Sequence, residues 1–243
     1  MIVSTTDGPV TTIELAREAK RNALDYDMLR DLSQAFTDAV DAGARVIVLT
    51  GRGSVFSAGA DLSGPVYDPA FPARLVEVIE QIESTPIPVI AAVNGPALGG
   101  GLQLAMAADL RVVAPEAVAG IPAAKIGVAL DEWTIRRLVS LVGGGPARGI
   151  LIGCEPLSAD RAYHLGFANK IGDLSDAQHW AATIAGLAPL TLRHYKMVLT
   201  GDGARDEAPQ DRRDAMIAAW MSDDAKEARA AREEKRPPVF HGK

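Results

Sequence analysis

The residues of this chain best placed to do chemistry are three consecutive glycines, Gly99, Gly100 and Gly101, within Asn94–Asp109 (N-G-P-A-L-G-G-G-L-Q-L-A-M-A-A-D). They follow the apolar run Pro88–Val93 and lead into a segment of helical character. Glycines at such a junction expose backbone N–H groups, because no side chain blocks close approach. The first turn of a helix adds unpaired donors and a partial positive charge. The turn therefore suits a negative charge, either a phosphate, as in a P-loop, or a polarised carbonyl oxygen, as in an oxyanion hole. A P-loop needs Lys followed by Ser or Thr after its glycines, and Leu102-Gln103 stand there instead. The oxyanion reading leads. A serine hydrolase would also need a Ser–His pair near the turn, yet His164, His179, His194 and His241 all come late.

The elements that must position this turn read as strands alternating with helices. Val10–Leu15, Arg45–Leu49, Val89–Val93, Leu110–Val113 and Val118–Ile121 have strand character. Asp27–Ala42 is amphipathic, with Met28, Leu29, Leu32, Ala35, Phe36, Ala39 and Val40 on one face and Gly43 to end it. Arg74–Ile82 has helical spacing, and a further helix starts at Leu102. The alternation predicts mostly parallel strands packed against helices. After Asp131 the pattern is helical: Trp133–Val142, Ser158–Leu165, Asp176–Leu187, Leu190–Leu199, Asp211–Met221 and Asp224–Lys235, with Gly143-Gly144-Gly145-Pro146 as a separator. Such a region serves oligomerisation, or alternatively caps the core of its own subunit.

Composition sets the bounds. A chain of 243 residues with 48% apolar content can bury a full core. Net charge is −6, with no block of like charge apart from a mixed C-terminal tract, which argues against nucleic acid as a partner. Cys154 is the only cysteine, so no internal disulfide and no cysteine metal cluster are expected. Met1–Ile13 lacks the pattern of a secretory signal. Ser84–Ala108 carries no charge, but Pro86, Pro88, Asn94, Pro96 and the glycines break it, so it reads as a buried strand–turn–helix rather than a membrane span. The expected location is cytoplasmic and reducing.

Four segments, in order, resemble the enoyl-CoA hydratase/isomerase (crotonase) superfamily. Phe56-Ser57-Ala58-Gly59-Ala60-Asp61-Leu62 is similar to its F-x-A-G-A-D-[LI] motif, and Asn94–Gly101 to its second signature. Lys20-Arg21-Asn22-Ala23-Leu24 and Glu234-Lys235-Arg236-Pro237-Pro238-Val239-Phe240 are similar to its first and last elements. The resemblance implies an α/β fold: a spiral ββα core over 1–190 that binds acyl-CoA, then a helical oligomerisation region over 191–243. It implies a homotrimer or dimer of trimers, a coenzyme A thioester as ligand, no permanently bound cofactor and no metal. The thioester carbonyl is expected between the N–H groups of Ala60 and Gly100. Lys20, Arg21, Ala23, Ala58 and Asp61 are expected to contact the coenzyme. For Lys20 and Arg21 a solvated turn is the other reading, and for Asp61 a helix N-cap, which is compatible with a coenzyme contact. Tyr67, Phe71 and Trp133 are candidates for the acyl wall, Trp133 being equally an ordinary core residue. The C-terminal tract from Lys235 to Phe240 would reach a neighbour's coenzyme site, or else is a frayed basic tail.

The chain departs from the resemblance where the chemistry sits. Hydratases of the family use two glutamates on one water, one as base and one as acid. Gln103 stands at the first position and Ala123 at the second. A glutamine can hold a water but cannot take its proton, and each lost acid/base group costs about 10²–10⁴-fold. Ordinary hydration is expected to be slow or undetectable, leaving a protein that binds acyl- or enoyl-CoA in fatty-acid metabolism, with other proteins of that metabolism as candidate partners. The alternative is an active hydratase using Gln103-held water, or a double-bond isomerase using Asp131. Asp131 matches an aspartate of dienoyl-CoA isomerases, though it also stands where a helix N-cap belongs.

Overall fold

The computed structural model describes residues 1–64, 70–207 and 210–241. In chain order they form β1 (Ile2–Asp7), β2 (Val10–Leu15), α1 (Tyr26–Asp41), β3 (Val46–Gly51), α2 (Ala70–Ser84), β4 (Val89–Val93), β5 (Ala97–Leu98), α3 (Gly100–Ala107), β6 (Leu110–Val113) and β7 (Val118–Gly120). There follow α4 (Glu132–Val142), α5 (Gly144–Leu151), β8 (Leu157–Ser158), α6 (Ala159–His164), β9 (Lys170–Ile171), α7 (Leu174–Ala185), α8 (Pro189–Thr200), α9 (Gln210–Met221) and α10 (Asp223–Glu233). They divide into a larger unit, residues 1–119 with 157–201, and a smaller one, residues 120–156 with 202–243.

The larger unit is built on a six-stranded sheet in the order β1-β2-β3-β4-β6-β9. β1 and β2 are an antiparallel hairpin, and every later pairing in this sheet is parallel. All residues of β3 and β4 are buried, as expected for parallel strands covered on both faces. Val10, Val46, Val48, Ile90, Ala92 and Val112 pack with Ala177, Ala181, Ile184 and Ala185 of α7. Small alanines at successive turns of α7 let its backbone lie close to the sheet. α1 begins at Asp25, whose carboxylate accepts the Met28 N–H at 2.8 Å. It buries Met28, Leu29, Leu32, Ala35, Phe36 and Ala39, the face its spacing predicts. A second sheet, β5-β7-β8, is short.

α3 is buried along all eight residues, so both its ends need partners within the protein. At its C-terminal end the Arg111 guanidinium, 3% exposed, donates to the carbonyls of Ala108 (2.7 Å) and Ala105 (3.3 Å) and to Phe167 O (2.7 Å). A cation there also complements the helix dipole. α8 is tied inward by one side chain. Lys196, 5% exposed, donates from Nζ to Ile82 O (3.0 Å), Ile87 O (3.2 Å) and Asp109 Oδ2 (2.8 Å). Asp109 Oδ2 also accepts the Val89 N–H at 2.7 Å. Burial pushes the Lys196 ammonium below its ordinary value, and Asp109 works against that fall.

In the smaller unit, Asp131 caps α4, accepting the Thr134 N–H (2.9 Å) on one oxygen and the Thr134 hydroxyl (2.7 Å) on the other. Gly143–Pro146 is not only a separator. Gly143, at φ +82°, is the N-cap of α5, whose first turn holds Gly144, Gly145 and Pro146. Proline is tolerated there because its missing N–H would be unpaired anyway. Trp220 Nε1 donates to Ala129 O at 2.8 Å, and Arg136 of α4 donates to Gly203 O at 2.9 Å. The basic tail is anchored on α10: Arg236 pairs with Glu227 and Glu234, and the Val239 N–H donates to Glu227 at 3.0 Å. Hydrogen bonds from Arg236 and the Val239 N–H hold the Glu227 carboxyl down at about 2. Among the described residues no helix is long and apolar enough to cross a membrane.

Removing one member of a buried ion pair leaves the other uncompensated and costs about 3–5 kcal/mol. Lys196→Met is therefore expected to lower the melting temperature by roughly 6–20 °C, at about 2–4 °C per kcal/mol for a chain of this size. Lys196→Met with Asp109→Asn should recover part of that loss in the same calorimetric scan. A single variant melting with the wild type would show that the pair contributes nothing.

Candidate functional site

The glycine turn sits among three chain segments in the larger unit that are joined by single parallel bridges. Leu24 bridges Ala60, and Ser57 bridges Ala97. In the first bridge the Leu24 N–H donates to Gly59 O (2.8 Å) and Leu24 O accepts the Asp61 N–H (2.8 Å). Leu24 thus uses the residues on either side of Ala60, and the Ala60 amide itself points away from it. In the second, the Ser57 N–H donates to Pro96 O (3.1 Å) and Ser57 O accepts the Leu98 N–H (2.9 Å). These pairings bring Gly59 against the start of α3. A Cβ on Gly59 would lie 2.5 Å from Leu98 O and 3.3 Å from Gly100 N.

The glycines of the turn serve distinct ends. Gly99 is the N-cap of α3 at φ +50°, ψ −119°, a conformation that disfavours any side chain. Gly101 has no room for a Cβ, which would fall 2.6 Å from Ser57 O and 2.7 Å from Ser57 Cβ. At Gly100 the surroundings are Leu24 Cδ1, Leu75 Cδ2 and Gln103 Oε1, at 3.2, 3.5 and 3.8 Å from a Cβ placed there. Gln103 is 6% exposed in the first turn of α3, and its backbone N–H closes that turn on Gly99 O at 3.0 Å. Its carboxamide oxygen leans back along the helix toward Gly100, the direction helical side chains take.

Lys20, Arg21, Ala23, Ala58 and Asp61 are brought into one neighbourhood. The Ala58 N–H donates to Arg21 O at 3.0 Å, and Lys20 Nζ donates to Ser63 Oγ at 3.2 Å. Asp61 does not cap a helix. Its Oδ1 accepts the Ser63 N–H (3.0 Å) and hydroxyl (2.5 Å), and its Oδ2 accepts Arg17 Nη1 at 2.8 Å. The reason is local: Ser63 closes an Asx-type turn on the carboxylate, where Asp is favoured for the same hydrogen-bonding capacity that suits it to caps. Burial pushes the Asp61 carboxyl up, but the Ser63 hydrogen bonds and the Arg17 guanidinium outweigh it and hold the group below its ordinary value.

Arg17 and Asn22 are the residues that motif reading overlooked. Arg17 also donates to Ala23 O (3.0 Å) and pairs with Asp25 (3.2 Å), so one guanidinium joins the Asp61 turn to the cap of α1. Asn22 is fully buried at φ +53°. Its Oδ1 accepts the Arg17 N–H (3.0 Å), and its Nδ2 donates to Arg52 O (3.0 Å) and Val55 O (2.7 Å). Asparagine is among the few residues that take this conformation readily, which is the one signal a sequence offers for it.

Phe71 lies on α2 and is buried, while Tyr67 lies outside the described residues. Ala123, Asp131 and Trp133 belong to the smaller unit. Ala123 opens a short 3-10 turn, Ala123–Ile126, and Asp131 is the cap of α4. Trp133 is 7% exposed, with the Arg205 guanidinium 5.2 Å from its ring centre.

The family model for enoyl-CoA hydratase/isomerase matches residues 5–243. The chain is 52% identical over 242 residues to "Probable enoyl-CoA hydratase echA6" of Mycobacterium tuberculosis, covering 100% of both chains. It is 33% identical over 248 residues to a crotonyl-CoA hydratase of Syntrophomonas wolfei, covering 96% and 95%. Among solved structures it superimposes on methylmalonyl-CoA decarboxylase with a TM-score of 0.91 at 27% identity, covering 100% of this chain and 98% of that one. The same decarboxylase in complex with 2S-carboxypropyl-CoA gives a TM-score of 0.89. The crotonase fold with a helical C-terminal region is thereby established.

The depressed Asp61 carboxyl has a definite sign in acid. As pH falls past the ordinary carboxylate value near 3.8, the unfolded chain takes up the proton before the native protein does, so the stability Asp61 contributes is lost on going down in pH. Asp61→Asn is expected to be less stable than wild type at pH 7 and to lose less on acidification. Urea midpoints between pH 6 and 3 measure this, and parallel curves for the two proteins would contradict it.

Proposed function

The chain belongs to the enoyl-CoA hydratase/isomerase family, and from that membership we propose that it binds acyl- and enoyl-CoA thioesters with little or no hydratase turnover. The observation that carries this reading is Gln103, buried beside Gly100 in the first turn of α3. A carboxamide there can hold a carbonyl or a water but cannot cycle a proton. The thioester oxygen accepts from the Ala60 and Gly100 N–H groups, which are supported by their neighbouring segments and by their place at the start of a buried helix. Each such donor contributes about 10²–10³ in polarising a carbonyl, which without an acid and a base does not complete hydration. Lys20, Arg21, Ala23, Ala58 and Asp61 contact the coenzyme, and Tyr67, Phe71 and Trp133 bound the acyl group by resemblance alone. No permanent cofactor is needed.

Asp131 supports the alternative, an isomerase with a single base, less well. Both of its oxygens are engaged by Thr134 in capping α4. A different second reading comes from the likeness to methylmalonyl-CoA decarboxylase. Loss of CO₂ from a 2-carboxyacyl thioester leaves its electron pair as an enolate that two N–H donors stabilise, with no general base required to begin the reaction. Gln103 is compatible with that chemistry.

Assembly follows the same logic. α8 turns Leu190, Met197, Val198 and Leu199 outward, at 78, 66, 61 and 73% exposure, on a helix tied to the core through Lys196. Exposed apolar side chains of this kind support association between copies of this chain, which by the family resemblance is a homotrimer or a dimer of trimers.

Binding of hexadecanoyl-CoA, followed by calorimetry, is expected without loss of enoyl absorbance when butenoyl-CoA or hexadecenoyl-CoA is supplied at catalytic protein concentration. Turnover well above background would overturn the reading of binding without hydration, and CO₂ release from methylmalonyl-CoA would select the decarboxylase. Gln103→Glu with Ala123→Glu is expected to raise hydration by at least about 10²-fold, the worth of one restored acid/base group. A folded, ligand-binding double variant with no such gain would refute that assignment. Met197→Glu with Leu199→Glu should reduce the sedimenting mass to a monomer's, and a wild type that already sediments as a monomer would dismiss the assembly.

A further inference from the structure

Ser57 fills the unassigned position of the F-x-A-G-A-D motif, yet it touches both segments of the site. Its hydroxyl is fully buried; it donates to Asn22 O at 2.8 Å and accepts the Gly59 N–H at 3.2 Å. Its backbone brackets Ala97, through Pro96 O and the Leu98 N–H. Its Cβ and carbonyl oxygen define the floor on which Gly101 rests. One residue thus sets where the Gly59–Ala60 peptide lies and how deeply the first turn of α3 is seated. The partners of the hydroxyl are themselves fixed, since Asn22 is held by Arg17, Arg52 and Val55.

We propose that Ser57 is a positioning residue that sets the spacing of the Ala60 and Gly100 donors, and so the strength with which the site holds a thioester carbonyl. This rests on the oxyanion reading given above. Two donors on separate segments act on one oxygen only when both lie within about 2.7–3.1 Å of it. The Gly59 N–H bonded to Ser57 Oγ restrains the peptide that carries the Ala60 amide, and the bond to Asn22 O restrains Ser57 in turn. Ser57→Ala keeps the Cβ that seats Gly101 and removes both of these bonds. The first donor would drift while the second stays.

The test compares a thioester with a ligand that lacks its carbonyl. Affinities of wild type, Ser57→Ala and Ser57→Cys are measured for butanoyl-CoA and hexadecanoyl-CoA and for the matching S-alkyl-CoA thioethers. Wild type is expected to prefer the thioester about 10-fold or more, and Ser57→Ala to lose about 3- to 10-fold of that preference, the worth of about one net hydrogen bond. Thioether affinity should stay within about 2-fold, which a general loosening of the fold would not allow. Ser57→Cys, which keeps a weak donor and acceptor, is expected to fall between the two and serves if the alanine variant does not fold. An unchanged preference in a folded variant, or an equal loss for thioester and thioether, would overturn the proposal. A wild type that binds thioester and thioether alike would instead remove the oxyanion reading and this inference with it. Binding of neither ligand would remove the acyl-CoA reading as a whole.

Discussion

Residues 22–25, 57–61 and 96–98 run side by side without forming a regular sheet. Each backbone pairing between them is a single parallel bridge, and the placement of the glycine turn depends on these bridges. A continuous ladder would consume alternate N–H groups along its length. The isolated bridge at Ala60 uses only the Gly59 carbonyl before it and the Asp61 N–H after it, which leaves the intervening amide available. The arrangement is stable because its gaps are closed by side chains rather than backbone. Asn22 satisfies two carbonyls and one N–H, and Arg17 joins the turn at Asp61 to the cap of α1. Buried polar groups tolerate this role only when fully partnered, which ties the identity of these side chains to the placement of the backbone.

α3 follows from the same economy of partners. A helix buried along all its residues depends on the protein for much of what its ends bond. Arg111 serves the C-terminal carbonyls, and its charge stands where the dipole is negative. The N-terminal end is left to the glycine turn. A helix of eight residues gains little from its own propensity. Its place is therefore fixed by packing and by these end contacts, and the first-turn donors inherit that fixity.

Much of this was legible from pattern. The buried face of α1, the apolar run Val46–Leu49 of β3, the apolar β4 and the helix α7 all announce themselves through pattern. β1 does not, because I-V-S-T-T-D is an exposed edge strand with no buried face to alternate against. α5 is concealed by three glycines and a proline that belong to its cap and first turn. Asp61 reads as a cap because its turn partner, Ser63, satisfies the same oxygen chemistry, while Arg17 lies 44 residues away. The glycine turn, Gln103 and Ala123 were visible as residue types. The residues that hold the turn were not, since Asn22, Ser57 and Arg111 act through partners distant in sequence.

Lys196 gives α8 a property that concerns how such a protein diverges. All three of its ammonium donors are committed, to Ile82, Ile87 and Asp109, so the rotation of α8 about its own axis is set from inside. The residues on its outer surface take no part in deciding which way they face. They can accumulate substitutions, from apolar to charged or aromatic, without turning the helix or disturbing the sheet. The chemistry of that surface, its capacity to associate included, can therefore change while the interior register stays as it is.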